Sequence, residues 1–405
     1  MNSAAATTHC TIYLDHAATT PVDPVVAEAM LPYFTERFGN PSSIYRLGQE
    51  SLAAVTVARR RAAAVLGCAP DEIVFTSGAT ESDNLALRGV ACAARHAAGP
   101  DGPPPHIVTT AIEHHAVLHA ADDLRRQGFA VSVVPPEGGG IVSPQRIAAA
   151  LRPETCLVSV MYANNETGAI QPIAEIAMLA RERSIPIHTD AVQAAGLLPL
   201  EVDAIGVDLL SLSAHKFYGP KGVGLLYVRQ GTTLAFQQAG GNQESGRRGG
   251  TENVPGIVGL GLALQRAEEM RPVYMAHCAA LRDQLWHGVR ASLPDAELNG
   301  PSLDARRLAN NLNLAIPGAL SETLLLSLDI LGVAASAGSA CTTGKTEPSH
   351  VLRAMGLSDA MCQASLRFTV GRGNDEAQIS RAVTAIAESV IRSRALNGLV
   401  PFGMA

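Results

Sequence analysis

Short apolar runs rich in Val, Ile and Leu recur between about residues 70 and 230. Most are separated by stretches with helical spacing of apolar residues, such as SDNLALRGVACAARHA and PIAEIAMLARERS. This alternation is typical of an α/β protein with a mostly parallel sheet covered by helices on both faces. Ligands of such sheets bind at the carboxyl ends of the strands, so the polar residues after each run are the candidates for chemistry. The runs are EIVF, HIVTT, VSVV, LVSVM, IPIHTD, DLLSLS and GVGLLYV.

The pattern changes near residue 265, where the helix GIVGLGLALQRAEEM leads out of the main domain. The later segments NLNLAI, GVAAS and SLRFTVGR indicate a second, smaller α/β domain. A chain of 405 residues also exceeds the roughly 250 to 300 residues that one hydrophobic core usually serves. The Pro/Gly-rich segment at residues 99–106 is predicted to be a surface connector.

The composition favours small-molecule chemistry. With 47% hydrophobic and 17% charged residues the chain is too apolar for a disordered protein, and its net charge of -6 argues against direct binding of nucleic acid. The first residues carry no basic segment, and no run of 18 or more apolar residues occurs. We therefore expect neither secretion nor membrane insertion, and a cytoplasmic location.

The seven cysteines are odd in number and include no C-x-x-C pair, which predicts neither a disulfide framework nor a closed zinc site. Only Cys341 has chemically suggestive surroundings. It lies among the small, turn-prone residues of 335–351, where Lys345 and His350 would favour a thiolate. Taken alone, a free cysteine is more often a small buried hydrophobe.

Lys216 ends the segment SAHK, which directly follows the apolar run DLLSLS. A lysine at the carboxyl end of a strand can be held towards a cofactor. If it is partly removed from water it loses its proton more readily and becomes a competent Schiff-base nucleophile. Position alone still favours the alternative of a solvated lysine at a loop edge, because most lysines stay exposed.

Two further elements complete a pattern. Asp190 ends the apolar strand IPIHTD, 26 residues before Lys216, and could pair with a pyridinium nitrogen or simply cap the next helix. The segment FTSGATESDNLAL joins a strand to a helix and presents backbone N–H groups of residues 77–80 to an anion, although Ser and Thr caps are common at such turns. A phosphate cradle, a strand-end Asp and a strand-end Lys, in that order, predict pyridoxal 5'-phosphate.

With these elements in place, the chain resembles the cysteine desulfurases, and most closely their long-loop, NifS-like class. The resemblance runs from about residue 12 to 375. It rests on motifs in the order and approximate spacing of that family. The motifs are LDHAATTPVD, FGNPSS, FTSGATESDN, EHHAVL, NNETG, HTDAVQ, SAHK, PKGVGLLYV, GRRGGTEN, GSACTTG, EPSHV and LRFTVGR.

The resemblance implies the aspartate-aminotransferase-like fold type I of pyridoxal-phosphate enzymes. The large cofactor-binding domain, residues 15–265, would contain a mostly parallel seven-stranded sheet. The small α/β domain would comprise residues 1–14 and 266–405 and carry the catalytic cysteine loop at about 335–349. The family also implies a homodimer with two active sites at the subunit interface.

The same resemblance assigns the groups at the cofactor ring. Lys216 would form the Schiff base, and Cys341 would receive the sulfur. Asp190 would pair with the ring nitrogen and Gln193 with the phenolic oxygen. His114 of EHHAVL would stack on the ring; its neighbour points elsewhere, so the two histidines are not expected to form a metal pair.

The remaining implied residues bind anionic groups. The phosphate would be held by Ala79, Thr80, Ser213 and His215, joined by the partner subunit's Thr251. The substrate carboxylate would be held by Arg367 and Asn165, with Asn40 in addition. Asn165 is also expected to touch the cofactor.

The implied activity is the removal of sulfur from L-cysteine, giving L-alanine and a persulfide on Cys341. The persulfide sulfur would pass to an acceptor protein, either an iron-sulfur scaffold, including one that serves nitrogen fixation, or a thiolation enzyme. The alternatives are a selenocysteine or cystine lyase, and a sulfur-donor subunit of a tRNA or DNA sulfur-modification complex.

Two features depart from the family pattern. The chain ends about 30 residues after SLRFTVGR, without the longer tail that resembles the scaffold-docking end of the housekeeping iron-sulfur enzymes. This departure puts docking to that particular scaffold in doubt. Ala214 stands in SAHK where family members usually have Gly, a change of one methyl group that we expect to be tolerated.

Overall fold

The computed structural model describes residues 11–337 and 348–396, which fall into two compact units. The larger unit comprises Ala18–Asn165 and Ala169–Val273. The smaller unit comprises the described residues before Ala18, the short segment Glu166–Gly168, and the described residues from Tyr274 onward. Among the described helices, none has the length and apolar character needed to cross a bilayer.

The described residues form twelve strands and thirteen α-helices. The strands are β1 Ile12–Tyr13, β2 Ile73–Thr76, β3 His106–Thr110, β4 Ala130–Val134, β5 Thr155–Ser159, β6 Ile187–Asp190, β7 Leu209–Ser213, β8 Gly224–Val228, β9 Glu297–Leu298, β10 Asn311–Ala315, β11 Val333–Ala334 and β12 Ser365–Thr369. The helices are α1 Pro24–Met30, α2 Pro32–Thr35, α3 Arg46–Leu66, α4 Ala79–Ala98, α5 His115–Arg126, α6 Pro144–Ala150, α7 Ile173–Arg181, α8 Val202–Ile205, α9 Val254–Ser292, α10 Ser321–Ile330, α11 His350–Ala354, α12 Asp359–Gln363 and α13 Glu376–Leu396.

The larger unit is built on a seven-stranded sheet in the order β2-β8-β7-β6-β5-β3-β4. Only β8 runs against its neighbours, so the sheet is mostly parallel and the predicted fold class is confirmed. Strands β2, β3, β6, β7 and β8 are buried along their whole length, because helices cover both faces and the strands need no polar side. This explains why their sequences are continuous apolar runs rather than alternating ones.

Helix α4 packs its apolar stripe into the core of this sheet, where Leu85, Leu87 and Val90 contact residues of the buried strands. The chain then leaves the helix at Gly99 and reaches β3 through the Pro/Gly-rich segment. Residues 100, 101, 103 and 104 of that segment are exposed, as predicted for a surface connector, whereas its last two residues are buried where β3 begins.

The smaller unit contains an antiparallel sheet in the order β12-β10-β9 and a parallel pair, β1-β11. Helices α10 and α13 pack against each other in this unit. The 39-residue helix α9 belongs to the larger unit as far as Val273 and to the smaller one from Tyr274. It contains Pro272, directly before that change.

Candidate active site

The strands β2, β3, β5, β6 and β7 run in one direction, so their carboxyl ends lie along one edge of the sheet. Ligands of parallel sheets bind at that edge. The segments that follow these five strands contain most of the residues singled out from the sequence. They include Ala79, Thr80, His114, Asn165, Asp190, Gln193, Ser213, His215 and Lys216.

The turn between β2 and α4 has the features of a phosphate cradle. Helix α4 begins at Ala79, and its N-cap Gly78 has φ 155° and no side-chain cap. A Cβ atom at Gly78 would lie 3.7 Å from the Ser213 Oγ atom, and Gly224 of β8 packs against Gly78. The ends of β2 and β7 are therefore adjacent at an uncapped helix N-terminus, which attracts anions.

Two backbone amides of that turn are already engaged. The Ser77 N–H donates to Glu81 Oε2 at 2.7 Å, and the Gly78 N–H donates to the Thr76 hydroxyl at 3.4 Å. Glu81 also forms an ion pair with Arg248. The neighbouring charge of Arg248 and the hydrogen bonds lower the pKa of Glu81, although burial opposes them. Of the turn predicted to cradle phosphate, Ala79 and Thr80 remain the candidates, because the Ser77 and Gly78 amides already donate to other groups.

Lys216 is held by residues 18–20, a segment for which no role at the site was predicted. It ends a short 3-10 turn, Ala214–Lys216, and its Nζ donates to the Ala18 carbonyl at 2.7 Å. Thr20 N–H donates to the His215 carbonyl at 2.9 Å, and Tyr218 N–H donates to the Thr20 hydroxyl at 2.8 Å. The motif LDHAATTPVD was the available signal for this contact, since it contains residues 18–20.

The backbone after the lysine is strained. Tyr218 has φ 66°, in the left-handed region that non-glycine residues rarely adopt, and its side chain is buried. Such strain persists only where the surrounding contacts impose it, and it is frequent at functional sites. Here the hydrogen bond from Tyr218 N–H to Thr20 is one such contact, which fixes the direction of the turn that carries Lys216.

His215 is uncharged at neutral pH. Burial lowers its pKa to about 4, assisted by the charges of Lys216 and Lys221. Its Nδ1 lies 3.1 Å from the Thr19 hydroxyl. A neutral imidazole keeps one N–H donor, so His215 can hydrogen-bond a phosphate oxygen without carrying a charge.

Asp190 ends β6 and is buried, with 6% of its surface exposed. Its Oδ1 accepts a hydrogen bond from Val192 N–H at 2.9 Å. One carboxylate oxygen therefore binds the following backbone, as a capping residue would. Burial raises the pKa of Asp190 to about 6, although that hydrogen bond and the charge of Lys216 oppose the shift. Because burial makes this carboxyl group costly to ionise, its carboxylate form is strongly stabilised by a nearby cation. A protonated ring nitrogen would be such a cation.

Two more buried carboxyl groups lie near Asp190, and the sequence indicated neither. Glu113 accepts hydrogen bonds from the Thr110 hydroxyl at 2.6 Å and from Met161 N–H at 2.9 Å. Burial raises its pKa to about 8, and the Asp190 charge adds to this shift. Burial raises the pKa of Asp83 as well, with the Asp190 charge as the second cause. The only sequence signal for these residues was their position. Glu113 follows the end of β3, and Asp83 lies in the second turn of α4.

His188 joins Asp83 to the sheet. Its Nδ1 lies 2.9 Å from the Ser159 hydroxyl, and its Nε2 lies 3.0 Å from the Ser211 hydroxyl and 3.6 Å from Asp83 Oδ1. Burial lowers the pKa of His188 to about 3, so the ring is neutral. Both ring nitrogens are satisfied by hydroxyl groups, and Asp83 gains no cation from it.

His114 is the N-cap of α5, where its Nδ1 accepts a hydrogen bond from Ala116 N–H at 3.1 Å. Its exposed ring lines a cavity of about 560 Å³ together with Thr80. His115 stacks instead on His119, with ring centroids 4.9 Å apart. Within the described part of the chain, no group of three or more His, Cys, Asp or Glu side chains could hold a metal ion.

The other predicted residues are more scattered. Asn40 and Thr251 are exposed and line one cavity of about 270 Å³, and Thr251 lines a second of about 130 Å³ with Ser77. Asn165 and Gln193 are half-buried after β5 and β6. Cys341 and Lys345 lie outside the described residues.

Arg367 lies in the smaller unit, on β12, and is 4% exposed. Its Nη2 donates to Asp15 Oδ1 at 2.7 Å, an ion pair that the sequence did not indicate. The backbone of Arg367 pairs on one side with Asn313 of β10 and on the other with Ser336. The sheet and the Asp15 carboxylate therefore both act on the position of the guanidinium.

Comparison with known proteins places these observations in a family. The model of the aminotransferase class-V family matches residues 12–381. A protein named cysteine desulfurase IscS from Methanosarcina thermophila is 47% identical over 390 residues, which cover 96% of this chain and 94% of that protein. These matches confirm the resemblance to cysteine desulfurases.

Solved structures agree with this result. A NifS-like protein superposes with a TM-score of 0.86 at 36% identity, covering 93% of this chain and 98% of that one. A structure described as SspA in complex with cysteine gives a TM-score of 0.77 at 36% identity, covering 89% of this chain and 99% of that one.

Proposed function

This chain belongs to the aminotransferase class-V family, and we propose that it is a cysteine desulfurase of the EC 2.8.1.7 type, converting L-cysteine to L-alanine and an enzyme-bound persulfide. The observation that carries this proposal is the near full-length similarity to a protein of that name. It covers 96% of the chain, and therefore includes both the strand-edge residues and the segment with Cys341. The solved relative described with bound cysteine supports L-cysteine as the substrate.

We propose pyridoxal 5'-phosphate as the cofactor, because the chemistry of the strand edge fits it. The uncapped start of α4 beside Ser213 suits the phosphate, and the buried Asp190 carboxylate suits a protonated ring nitrogen. Lys216 provides the amine for covalent attachment, and its charge acts on Asp190. When bound, the cofactor withdraws electrons from the Cα atom of an amino acid.

The residues of the chain then supply positioning and proton transfer. The Lys216 amine would serve as the base that takes the proton from the substrate Cα atom. Asp190 keeps its negative charge towards the ring, because at neutral pH its carboxyl group is mostly ionised. Arg367 binds the substrate carboxylate, with Asn165 and Asn40 assisting, and His114 covers the ring.

Cys341 performs the sulfur transfer in this proposal. Its thiolate attacks the sulfur atom of the substrate, a new S–S bond forms and the Cβ–S bond breaks. The electron pair of the broken bond stays on the carbon fragment, which takes up protons and leaves as L-alanine. The substrate sulfur remains on Cys341 as a persulfide, so the carbon is reduced and the sulfur oxidised without an external oxidant.

We also propose a homodimer. The larger unit exposes a series of large apolar side chains near its N-terminal end, which is unusual for a surface that stays in water. Thr251 is exposed as well. Exposure is what we expect of a residue that reaches the phosphate site of a partner subunit. The exposed apolar residues are Leu31, Phe34, Phe38, Ile44 and Tyr45.

The sulfur acceptor is proposed to be a protein, either an iron-sulfur scaffold or a thiolation enzyme. The net charge of -6 favours delivery through a protein over direct contact with nucleic acid. Incubating the persulfide form with candidate acceptors and following the labelled sulfur would identify the acceptor.

The test combines spectroscopy with product analysis. The purified protein is loaded with pyridoxal phosphate, and its absorption spectrum is recorded before and after L-cysteine. With dithiothreitol present to reduce the persulfide, alanine and sulfide are measured for the wild type and for Cys341→Ala. We expect a cofactor band that shifts with L-cysteine in both proteins, and alanine and sulfide formation only in the wild type.

Cys278→Ala is the matched control, because Cys278 is a buried thiol whose pKa burial raises to about 12. It should leave turnover intact. A protein that cannot be loaded with cofactor would contradict the whole proposal. Full alanine production by Cys341→Ala would contradict the role of Cys341 alone, and faster turnover of selenocysteine or cystine would reassign the substrate.

A further inference from the structure

The N-terminal segment of the smaller unit is attached to the strand that carries Arg367. Thr369 N–H donates to the Leu14 carbonyl at 2.7 Å, and Ala17 N–H donates to the Thr369 hydroxyl at 2.9 Å. A β-bridge joins Asp15 to Thr369. The backbone of Asp15 is therefore fixed relative to a residue only two positions from Arg367.

The residues next to Asp15 strengthen this attachment. His16 is buried against Gly371, where any Cβ atom would come within 2.5 Å of the imidazole ring. Burial lowers the pKa of His16 to about 4, so it brings no charge to the site. The Asn374 side chain donates to the Tyr13 carbonyl at 3.1 Å. Asp15 thus has little freedom to move away from Arg367.

The smaller unit also contains a buried arginine of a different kind. Arg307 donates to the carbonyl groups of Pro301, Thr167 and Asn299, so backbone oxygens surround its guanidinium. Arg367 instead donates to an ionisable side chain, Asp15. A guanidinium carries five N–H donors in a planar fork, more than one carboxylate oxygen can accept.

A second carboxyl group, that of Glu166, also lies near Arg367. Glu166 is buried, and burial raises its pKa, while a hydrogen bond from the Ser349 hydroxyl at 2.5 Å and the charges of His350 and Arg367 oppose that shift. The Asp15 carboxylate forms an ion pair with the Arg367 guanidinium at 2.7 Å.

We propose that Asp15 is a positioning residue for the substrate carboxylate: it fixes the orientation in which Arg367 presents its guanidinium to the α-carboxylate of the amino acid. This inference rests on the proposed function, because it takes Arg367 as the carboxylate-binding residue. Asp15 itself touches neither substrate nor cofactor in this role. Its effect is on the affinity for amino acids, and not on the affinity for amines that lack a carboxylate.

The test measures binding, with two ligands that differ only in the carboxylate. The full chain is loaded with pyridoxal phosphate, and the change in its absorption is titrated with L-alanine and with ethylamine. Asp15→Ala should weaken the apparent affinity for L-alanine by roughly 10- to 100-fold, by analogy with the loss of outer-shell groups that orient the ligands of metal sites. The affinity for ethylamine should change less than about twofold.

Asp15→Asn is the second variant. Its amide oxygen can still accept the Arg367 hydrogen bond, so it should recover part of the affinity for L-alanine. This variant also keeps the shape of the side chain and guards against a folding defect, which the thermal unfolding temperature of each loaded protein would detect. Asp359→Ala is the matched control, because Asp359 pairs with Arg353 at the same 2.7 Å distance on an exposed surface.

Unchanged or tighter binding of L-alanine by both Asp15 variants would overturn the inference, since Asp15 would then be irrelevant or a competitor of the substrate. Equal weakening of L-alanine and ethylamine would also overturn it, because the effect would not involve the carboxylate. If the wild type takes up no cofactor, the proposed function itself fails, and that result is separate from the other two.

Discussion

The strand edge of the larger unit and the surroundings of β12 in the smaller unit use carboxyl groups in opposite ways. At the strand edge, Asp190, Glu113 and Asp83 lie near one another, and burial raises the pKa of each. Near β12, Asp15 is bonded to the guanidinium of Arg367. The first arrangement has an excess of acid and favours a cationic ligand; the second orients a cation and favours an anionic one.

This difference matches the charges of the proposed ligands. A pyridinium nitrogen and an amine are cationic partners for the strand edge, and an α-carboxylate is an anionic partner for Arg367. The four predictions below alter one region or the other. If the regions are as different as their electrostatics indicate, changes at the strand edge will affect the cofactor, and changes near β12 will affect only the substrate.

The largest effect is expected from Lys216→Ala. Without the amine there is no covalent attachment of the cofactor and no base for the Cα proton, so turnover should fall by roughly 10⁴-fold or more. The measurement is alanine formation, together with the absorption spectrum. Lys221→Ala is the control, because Lys221 is exposed five residues further on. Activity of Lys216→Ala near that of the control would break the assignment.

Asp190→Asn should have the next largest effect. The amide cannot carry the negative charge that holds a proton on the ring nitrogen, so turnover should fall by roughly 10²- to 10³-fold. The absorption spectrum should change even without substrate. Asp203→Asn is a suitable control, since Asp203 pairs with Arg229 on the surface. A spectrum identical to that of the wild type would show that Asp190 does not act on the ring.

Arg367→Lys changes the smaller unit and should act on substrate binding. A lysine keeps the charge but loses the planar fork, so we expect KM for L-cysteine to rise by roughly 10- to 100-fold with a smaller change in kcat. The cofactor spectrum without substrate should stay the same. The control is Arg353→Lys, at an exposed ion pair. A loss of cofactor in Arg367→Lys would contradict the division between the two regions.

Glu113→Gln should have the smallest effect, on stability alone. The pKa of Glu113 is about 8 in the folded chain and about 4.5 unfolded, so the folded state binds the proton more tightly. Its stabilisation is complete below pH 4.5 and is lost as the pH rises towards 8. Between pH 5 and 8 the free energy of unfolding of the cofactor-free wild type should therefore fall by roughly 2 to 4 kcal/mol more than that of Glu113→Gln.

Thermal or urea unfolding at several pH values would measure this difference. The exposed Glu322→Gln variant should follow the wild type at every pH. Parallel curves for the wild type and Glu113→Gln would mean that Glu113 is ionised in the folded chain, and would remove the excess of acid on which the comparison depends.

Much of the larger unit could be predicted from the sequence because its signals are local. A buried parallel strand is a continuous apolar run, and the residue after the run must lie at the carboxyl edge of the sheet. The strand ends at Asp190 and Ser213, and the helix start at Ala79, could be recognised in this way. The family motifs then assigned roles to the residues beside them.

The contacts that distinguish the two regions depend on residues far apart in the sequence. Asp15 and Arg367 are separated by 352 positions, and no pattern within a strand or helix relates them. The acidity of Glu113 depends on burial and on the Asp190 charge, which only the packed sheet brings near. Hydrophobic period and strand-end position thus determined the fold class and the candidate edge. The partner of each buried charge was decided by tertiary packing, because Coulomb energy depends on distance and on exclusion of water.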